Sequence, residues 1–181
     1  IKNTQSYQDA YLALQGAIFQ MIAHAFSSGA MFIGVGILYD QTHTRLMKNF
    51  GGIARQMPIF AAFFMLFALA NVSLPGTSGF VGEFLILMSL FKANFWILFF
   101  AVMTVILSAA YTLWMYKKVF LGQVTSPIVR EMRDVNRLEL LNLSLLAGVI
   151  LVLGIYPQPL FELFHATTNH LLHLSLTSKL V

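Results

Sequence analysis

The chain has 181 residues, of which 58% are hydrophobic and only 10% charged, with a mean hydropathy of +0.76. Soluble domains carry about 25% charged and about 45–50% apolar residues, so these values exclude an ordinary soluble protein. They exclude intrinsic disorder for the opposite reason, too much apolar surface. The net charge of +4 comes from basic residues scattered through short polar gaps rather than gathered in a stripe, which argues for no nucleic-acid partner. With no cysteine, the chain has no disulfide frame, zinc knuckle or iron–sulfur ligand set. The fold class is an all-α integral membrane protein. The chain opens on Ile1 with a polar stretch to Asp9, which is not a secretory signal, and reads as part of a longer protein.

A bilayer core about 30 Å thick needs roughly 20 apolar helical residues. From Ala10 to Tyr39 no Asp, Glu, Lys or Arg occurs, and a first helix is expected over residues 13–39. A polar connection follows, with Asp40, Arg45, Lys48, Arg55 and the Gly51-Gly52 pair. A second helix is expected over 58–74, opening on Pro58 at a first helical position and ending at Leu74-Pro75-Gly76. A third, short one covers 79–91 and contains Glu83. A fourth covers 94–116, with Trp114 and Tyr116 before Lys117-Lys118, the pattern of a helix leaving a membrane. After a charged connection to Glu139, a fifth covers 140–156 and stops at Pro157-Gln158-Pro159. The tail, 161–181, mixes apolar residues with His165, Asn169, His170 and His173. Leu160, Phe161, Phe164, Leu171, Leu172 and Leu174 would form one face of an amphipathic helix lying on the membrane.

Counted as five crossings, the loops place Arg45, Lys48, Arg55, Lys92 and Lys179 on one side. Lys2, Lys117, Lys118, Arg130, Arg133 and Arg137 fall on the other. That balance gives no orientation under the positive-inside rule.

Glu83 is the sharpest signal. An acidic residue at mid-membrane costs about 2.5–3.5 kcal/mol on insertion scales, and nothing local in sequence offsets it. Its partner must come from another helix, from water, or from its own protonation. A carboxyl held between burial and a nearby cation is suited to taking up and releasing a proton; the alternatives are a fixed ion pair holding two helices together, or a residue near the headgroup level. Pro75, Gly76, Gly79 and Gly82 precede it. They point to a structural break of the kind tolerated only beside protein or a watery cavity, or to close helix packing through small residues. His24 lies mid-way along the first helix with Gln20, Ser27 and Ser28 at helical spacing. It is either a proton-relay histidine or a neutral one bonded to a neighbouring helix. Thr104, Ser108, Tyr111 and Thr112 share one face of the fourth helix and either order water or bond back to their own backbone. Lys92 and Lys117 at helix ends read as snorkelling cations. The tail histidines lack the spacing of a metal site.

Three stretches are familiar: Gln20-Met21-Ile22-Ala23-His24-Ala25-Phe26, Gly51-Gly52-Ile53-Ala54-Arg55-Gln56-Met57-Pro58, and above all Leu74-Pro75-Gly76-Thr77-Ser78-Gly79-Phe80-Val81-Gly82-Glu83-Phe84. Together with Gly154-Ile155-Tyr156-Pro157-Gln158-Pro159-Leu160, they resemble the chain 4 (bacterial subunit M) family of proton-pumping NADH:quinone oxidoreductase, respiratory complex I. The resemblance runs from about Gln15 to Leu160, and the 74–84 motif is its specific part. It implies an antiporter-like fold of about fourteen helices, of which this chain is the C-terminal third. Glu83 would be the acidic residue of the broken helix in the second repeat, and His24 a histidine of the central hydrophilic axis. The resemblance implies proton translocation coupled to NADH oxidation and quinone reduction, in a bacterial plasma membrane or a mitochondrial inner membrane. Neighbouring antiporter-like subunits would be its partners. NADH, FMN, iron–sulfur clusters and quinone would sit on other subunits, with no cofactor and no metal on this chain. The tail would pack on a neighbouring subunit.

Two other functions compete. One is a subunit of a multi-subunit Na⁺/H⁺ antiporter, which shares this fold; relatives there often carry lysine where this chain has Glu83. The other is a structural helix bundle, against which the unpaired Glu83 counts.

Overall fold

A computed structural model of the chain describes residues 4–124 and 126–177. Lys2 and Lys179 lie outside the described residues. All the regular structure described is helical. It comprises α1 (Thr4–Thr42), a short 3-10 turn (Met47–Asn49), α2 (Ile53–Gln56), α3 (Pro58–Asn71), α4 (Ser78–Ala93), α5 (Phe95–Phe120), α6 (Pro127–Arg130), α7 (Arg137–Ile155) and α8 (Gln158–Thr177).

Among the described residues, three helices are long and apolar enough to cross a membrane: α1 over Tyr7–Thr42, α5 and α7. At 1.5 Å per residue, α3 is about 21 Å long and α4 about 24 Å, so neither crosses a core of about 30 Å alone. They cross together. Gly34 of α1 faces Phe64 and Phe60 of α3, Gln20 faces Gly82 of α4, and Asp9 near the start of α1 pairs with Lys92 near the end of α4. The order of these contacts makes α3 and α4 two halves of one interrupted helix running antiparallel to α1. The interruption, Val72–Thr77, holds Ser73 at φ 59 and Gly76 at φ 92, left-handed conformations that cannot continue a helix.

This changes the loop arithmetic. Counting α3 and α4 as separate crossings put the α5–α7 connection on the wrong side. The C-terminal end of α1, the start of α3, the end of α5 and the start of α7 meet at one end of the bundle. There Gly52 N–H donates to the Leu121 carbonyl at 3.0 Å, and Gln41 exchanges two bonds with the Arg133 backbone, at 3.0 and 2.9 Å. Eight basic residues gather at this end: Arg45, Lys48, Arg55, Lys117, Lys118, Arg130, Arg133 and Arg137. Among the described residues only Lys92 lies at the other. The positive-inside rule then makes the first end the inner one. Aromatic rings hold cations there, with Arg45 over Tyr39 and Lys118 over Trp114, each at 4.9 Å.

Below the inner end the core is aromatic. Phe60 and Phe64 of α3 pack on Phe120 of α5, which stacks on Tyr116 with centroids 4.6 Å apart. The Tyr116 hydroxyl donates to the Ala61 carbonyl at 3.0 Å. With lipid as apolar as any side chain, such packing and hydrogen bonding, rather than hydrophobic exclusion, hold helices together here. Met57 precedes α3 and cannot cap it with its side chain. Asp134 does so from the α6–α7 connection, accepting from Ile59 N–H at 2.9 Å and Phe60 N–H at 3.1 Å. A carboxylate there also meets the positive end of the helix dipole.

The boundaries differ from the sequence reading where caps decide them. α7 begins at Arg137, not Leu140, because Asn136 and Glu139 form a reciprocal capping box. α3 ends at Asn71, ahead of Pro75. α1 runs back through the polar stretch to Thr4. In α8, Phe164, Thr168 and Leu172 are buried, and Phe161 stacks on Phe19 of α1 at 5.0 Å. Its apolar face therefore meets α1, while Leu163, Leu171 and Leu174 stay exposed.

Candidate functional site

The α1–α4 crossing is built from glycines. A Cβ on Gly82 would lie 2.6–2.8 Å from Oε1, Cα and Cβ of Gln20, and one on Gly16 would lie 2.9 Å from Leu85 Cβ and 3.0 Å from the Gly82 carbonyl. Only bare backbone on both helices lets Gln20 lie flat against α4. Its Nε2 then donates to Glu83 Oε1 at 3.3 Å. Glu83, half-buried, lies ten residues before the end of α4. That is about 15 Å along the helix axis, near the middle of a core about 30 Å thick. It is the sixth residue of α4, in the second turn of the helix.

The expected break residues divide by role. Pro75 and Gly76 lie in the interruption itself. Gly79 and Gly82 do not unwind anything: both are helical and buried, and they serve close approach. A Cβ on Gly79 would fall 2.4 Å from the Ala70 carbonyl, which holds the two half-helices shoulder to shoulder. Gly154, near the end of α7, sits over Gly76 and Thr77 in the same way, within 2.4–2.5 Å of where its Cβ would be. The interruption is polar inside. Thr77 Oγ1 donates to the Leu74 carbonyl at 2.7 Å, while the buried Ser73 and Ser78 hydroxyls have no protein partner.

The structure does not bring His24 to Glu83. His24 lies one turn beyond Gln20 on α1, and its ring is exposed. Its carbonyl accepts from Ser27 and Ser28, at 3.3 and 2.6 Å, so both hydroxyls of the expected polar stripe bond back to their own helix. The α5 hydroxyls divide likewise. Thr104 donates to the Ala101 carbonyl and Ser108 to Tyr111. Tyr111 and Thr112 line an open cleft of about 320 Å³ with Ser28 and Asn71, between α1, α3 and α5. Lys92, expected to snorkel alone, pairs with Asp9 at 3.1 Å. In the tail, His165 packs edge-on against Tyr11 at 5.8 Å.

Sequence reasoning placed Gln20 in a stripe with His24 but did not name it as the partner of Glu83. The usable signal was Gly82 immediately before the acid, which marks a helix pressed against α4 at that level. Asp134 carried no local signal at all, being 75 residues from the helix it caps.

The sequence model of the NADH:quinone oxidoreductase/Mrp antiporter transmembrane family matches residues 5–108. NADH-quinone oxidoreductase subunit M of Rhodobacter capsulatus is 45% identical over 158 residues, covering 87% of this chain and 31% of that protein. NADH-ubiquinone oxidoreductase chain 4 of Marchantia polymorpha is 42% identical over 159 residues, covering 87% of this chain and 32% of that one. The chain thus spans about a third of the length of these curated relatives. Among solved structures, respiratory complex I from Thermus thermophilus with bound NADH superposes with a TM-score of 0.80 at 28% identity, over 93% of this chain and 36% of its own. The membrane-bound sulfane sulfur reductase, an archaeal respiratory membrane complex, shares the fold at a TM-score of 0.72 and 24% identity, over 81% of this chain and 24% of its own. An interrupted α3–α4 span with an acid at mid-membrane, three further spans, and a family match that covers α1, the interrupted span and the first half of α5 lead to one conclusion: this multi-pass membrane chain belongs to the NADH:quinone oxidoreductase/Mrp antiporter transmembrane family.

Proposed function

We propose that the chain is the C-terminal part of a proton-translocating membrane subunit of NADH:quinone oxidoreductase, with Glu83 as its protonatable group. The observation that carries this reading is the placement of Glu83. It lies at mid-membrane on the half-helix after a polar interruption, and its hydrogen-bond partner is the neutral amide of Gln20 rather than a cation. A carboxylate locked to a cation would be a structural ion pair, whereas one held by a single long amide bond can change protonation state without breaking the bundle.

In this reading Glu83 takes up a proton from the hydrophilic axis of the membrane and releases it when a neighbouring site changes charge. A unit charge 10 Å away at an effective dielectric of 20 contributes about 1.7 kcal/mol, enough to move a carboxyl between its two states. His24, exposed on α1 one turn from Gln20, would bring protons to this level from outside the bundle. Subunits of a respiratory complex in a plasma or inner mitochondrial membrane would be its partners, and electron carriers would belong to them. The names of the two sequence relatives described above, NADH-quinone oxidoreductase subunit M and NADH-ubiquinone oxidoreductase chain 4, support this membership.

The test is Glu83→Gln in the complete complex in sealed vesicles, with protons moved counted per NADH oxidised. The expected result is assembled, electron-transferring enzyme with at least a severalfold loss of protons per electron; an unchanged ratio rejects the role of Glu83. A second reading has its own observation, since the matching family also includes Mrp antiporter subunits. Sodium-dependent proton exchange in the absence of NADH would favour it.

A further inference from the structure

The Gln20 amide presents its donor, not its acceptor, to Glu83. Its Nε2 donates to Glu83 Oε1 at 3.3 Å, the correct pairing for a carboxylate, which only accepts. Its Oε1, on the same planar group, is buried and has no partner. An orphaned buried acceptor is unfavourable, and native structures keep few of them. The atom directly over it is the Gly82 backbone: a Cβ on Gly82 would stand 2.6 Å from that oxygen. Any Cβ at position 82 would therefore occupy the place of this amide against α4.

We propose that Gln20 is a positioning residue that reverses its amide each time Glu83 gains or loses a proton. This rests on Glu83 being the proton carrier of the proposed function. With Glu83 ionised, Nε2–H donates to the carboxylate and Oε1 stays unpaired. When Glu83 takes up one proton, its new O–H needs an acceptor, and a half-turn of the Gln20 amide presents Oε1 to it. The amide keeps both of its own protons throughout, so the only proton that changes hands is the one on Glu83. Each state satisfies the carboxyl with the same residue. The two states therefore differ by a side-chain rotation about one bond, on the turn of α1 that precedes His24.

No other described group competes for this contact. α3, the other half of the interrupted span, carries no ionisable residue. On α5 the lysines, Lys117 and Lys118, lie at the inner end, with Tyr116 bonded to Ala61 and Tyr111 facing the cleft. On α7, Arg137 and Glu139 lie at the inner end too. On α4 itself Lys92 is paired with Asp9 of α1 at the outer end. On α8, His165 meets Tyr11, about two and a half turns from the Gln20 level, His170 and His173 follow it toward the C-terminal end of the helix, and Glu162 accepts from Gln158 at 3.1 Å. His24 on α1 is exposed.

The experiment is infrared difference spectroscopy of the complete complex in membranes, grown with glutamine labelled at the side-chain carbonyl. A pH jump switches Glu83, and turnover is not required. The Gln20 band is assigned by its loss in Gln20→Met, or in Gln20→Asn should the first variant fail to assemble. The expected result is a Gln20 carbonyl band that shifts with the jump in the wild type and stays still in Glu83→Gln. A static band in the wild type overturns the switch, and so does a shift that survives in Glu83→Gln. A failure of the parent reading looks different: Glu83→Gln would pump normally even though the wild-type Gln20 band shifts.

Discussion

The two halves of the interrupted span are held by opposite means. α3 is fixed by large groups: Phe60 and Phe64 interlock with Phe120 and Tyr116, and Asp134 caps its first turn. α4 is fixed by missing ones: Gly79, Gly82 and, across the interface, Gly16 bring backbone onto backbone. The first half carries no hydroxyl or ionisable side chain. The second sits beside the unpartnered Ser73, Ser78 and Gln20 oxygens and carries Glu83. A membrane helix that only had to stand still would be built like α3 throughout. Interrupting it lets an anchored half present a polar, closely packed half, the arrangement that the proposed protonation of Glu83 requires.

That contrast can be broken from either side. The largest effect is expected at the joint. Gly154→Ala puts a methyl within 2.4–2.5 Å of the Gly76–Thr77 backbone, which cannot yield as a flexible side chain does. Overpacking of this kind destabilises by about 1–3 kcal/mol, visible as a lower heat-inactivation temperature of the purified complex. Next comes the anchor: Asp134→Ala removes a charged cap from α3, a loss of about 1–2 kcal/mol. Asp134→Asn retains part of that, and the difference between the two measures the charge. Tyr116→Phe should remove about 1 kcal/mol by leaving the buried Ala61 carbonyl without its side-chain donor. Neither anchor variant is expected to change protons moved per electron in the enzyme that assembles. A change there would show that α3 is part of the moving machinery. The smallest effect is expected at Lys92→Gln. Its pair with Asp9 is partly exposed, and such pairs contribute about 0.2–1 kcal/mol.

How much of this could be read from the sequence depends on the range of the interaction. Glu83 stood out because a charge in an apolar run is visible within ten residues. The interruption stood out because Pro75-Gly76 cannot be helical interior. Both signals are local. The Asn136–Glu139 capping box was equally local and would have started α7 at its observed first residue had the pattern been weighed against the charges around it. The partner of Glu83 lies 63 residues away and the cap of α3 about 75, and no periodicity links residues across such gaps. The orientation failed for a further reason. One miscounted crossing moves every later loop to the other side, so a single local ambiguity at residues 72–77 erased a charge asymmetry that the folded chain makes plain.

That same six-residue interruption has a consequence for how the chain enters its membrane. Val72-Ser73-Leu74-Pro75-Gly76-Thr77 contains no lysine, arginine, aspartate or glutamate. Nothing in it can be retained on the inner side by charge, because orientation is decided by basic residues flanking a span. The insertion machinery therefore meets residues 58–91 as one uninterrupted passenger, threaded with its inner end held back by Arg55 and its leading end released at Lys92. The break thus carries no orienting charge of its own, and Gly154 of α7 packs against it only in the folded bundle.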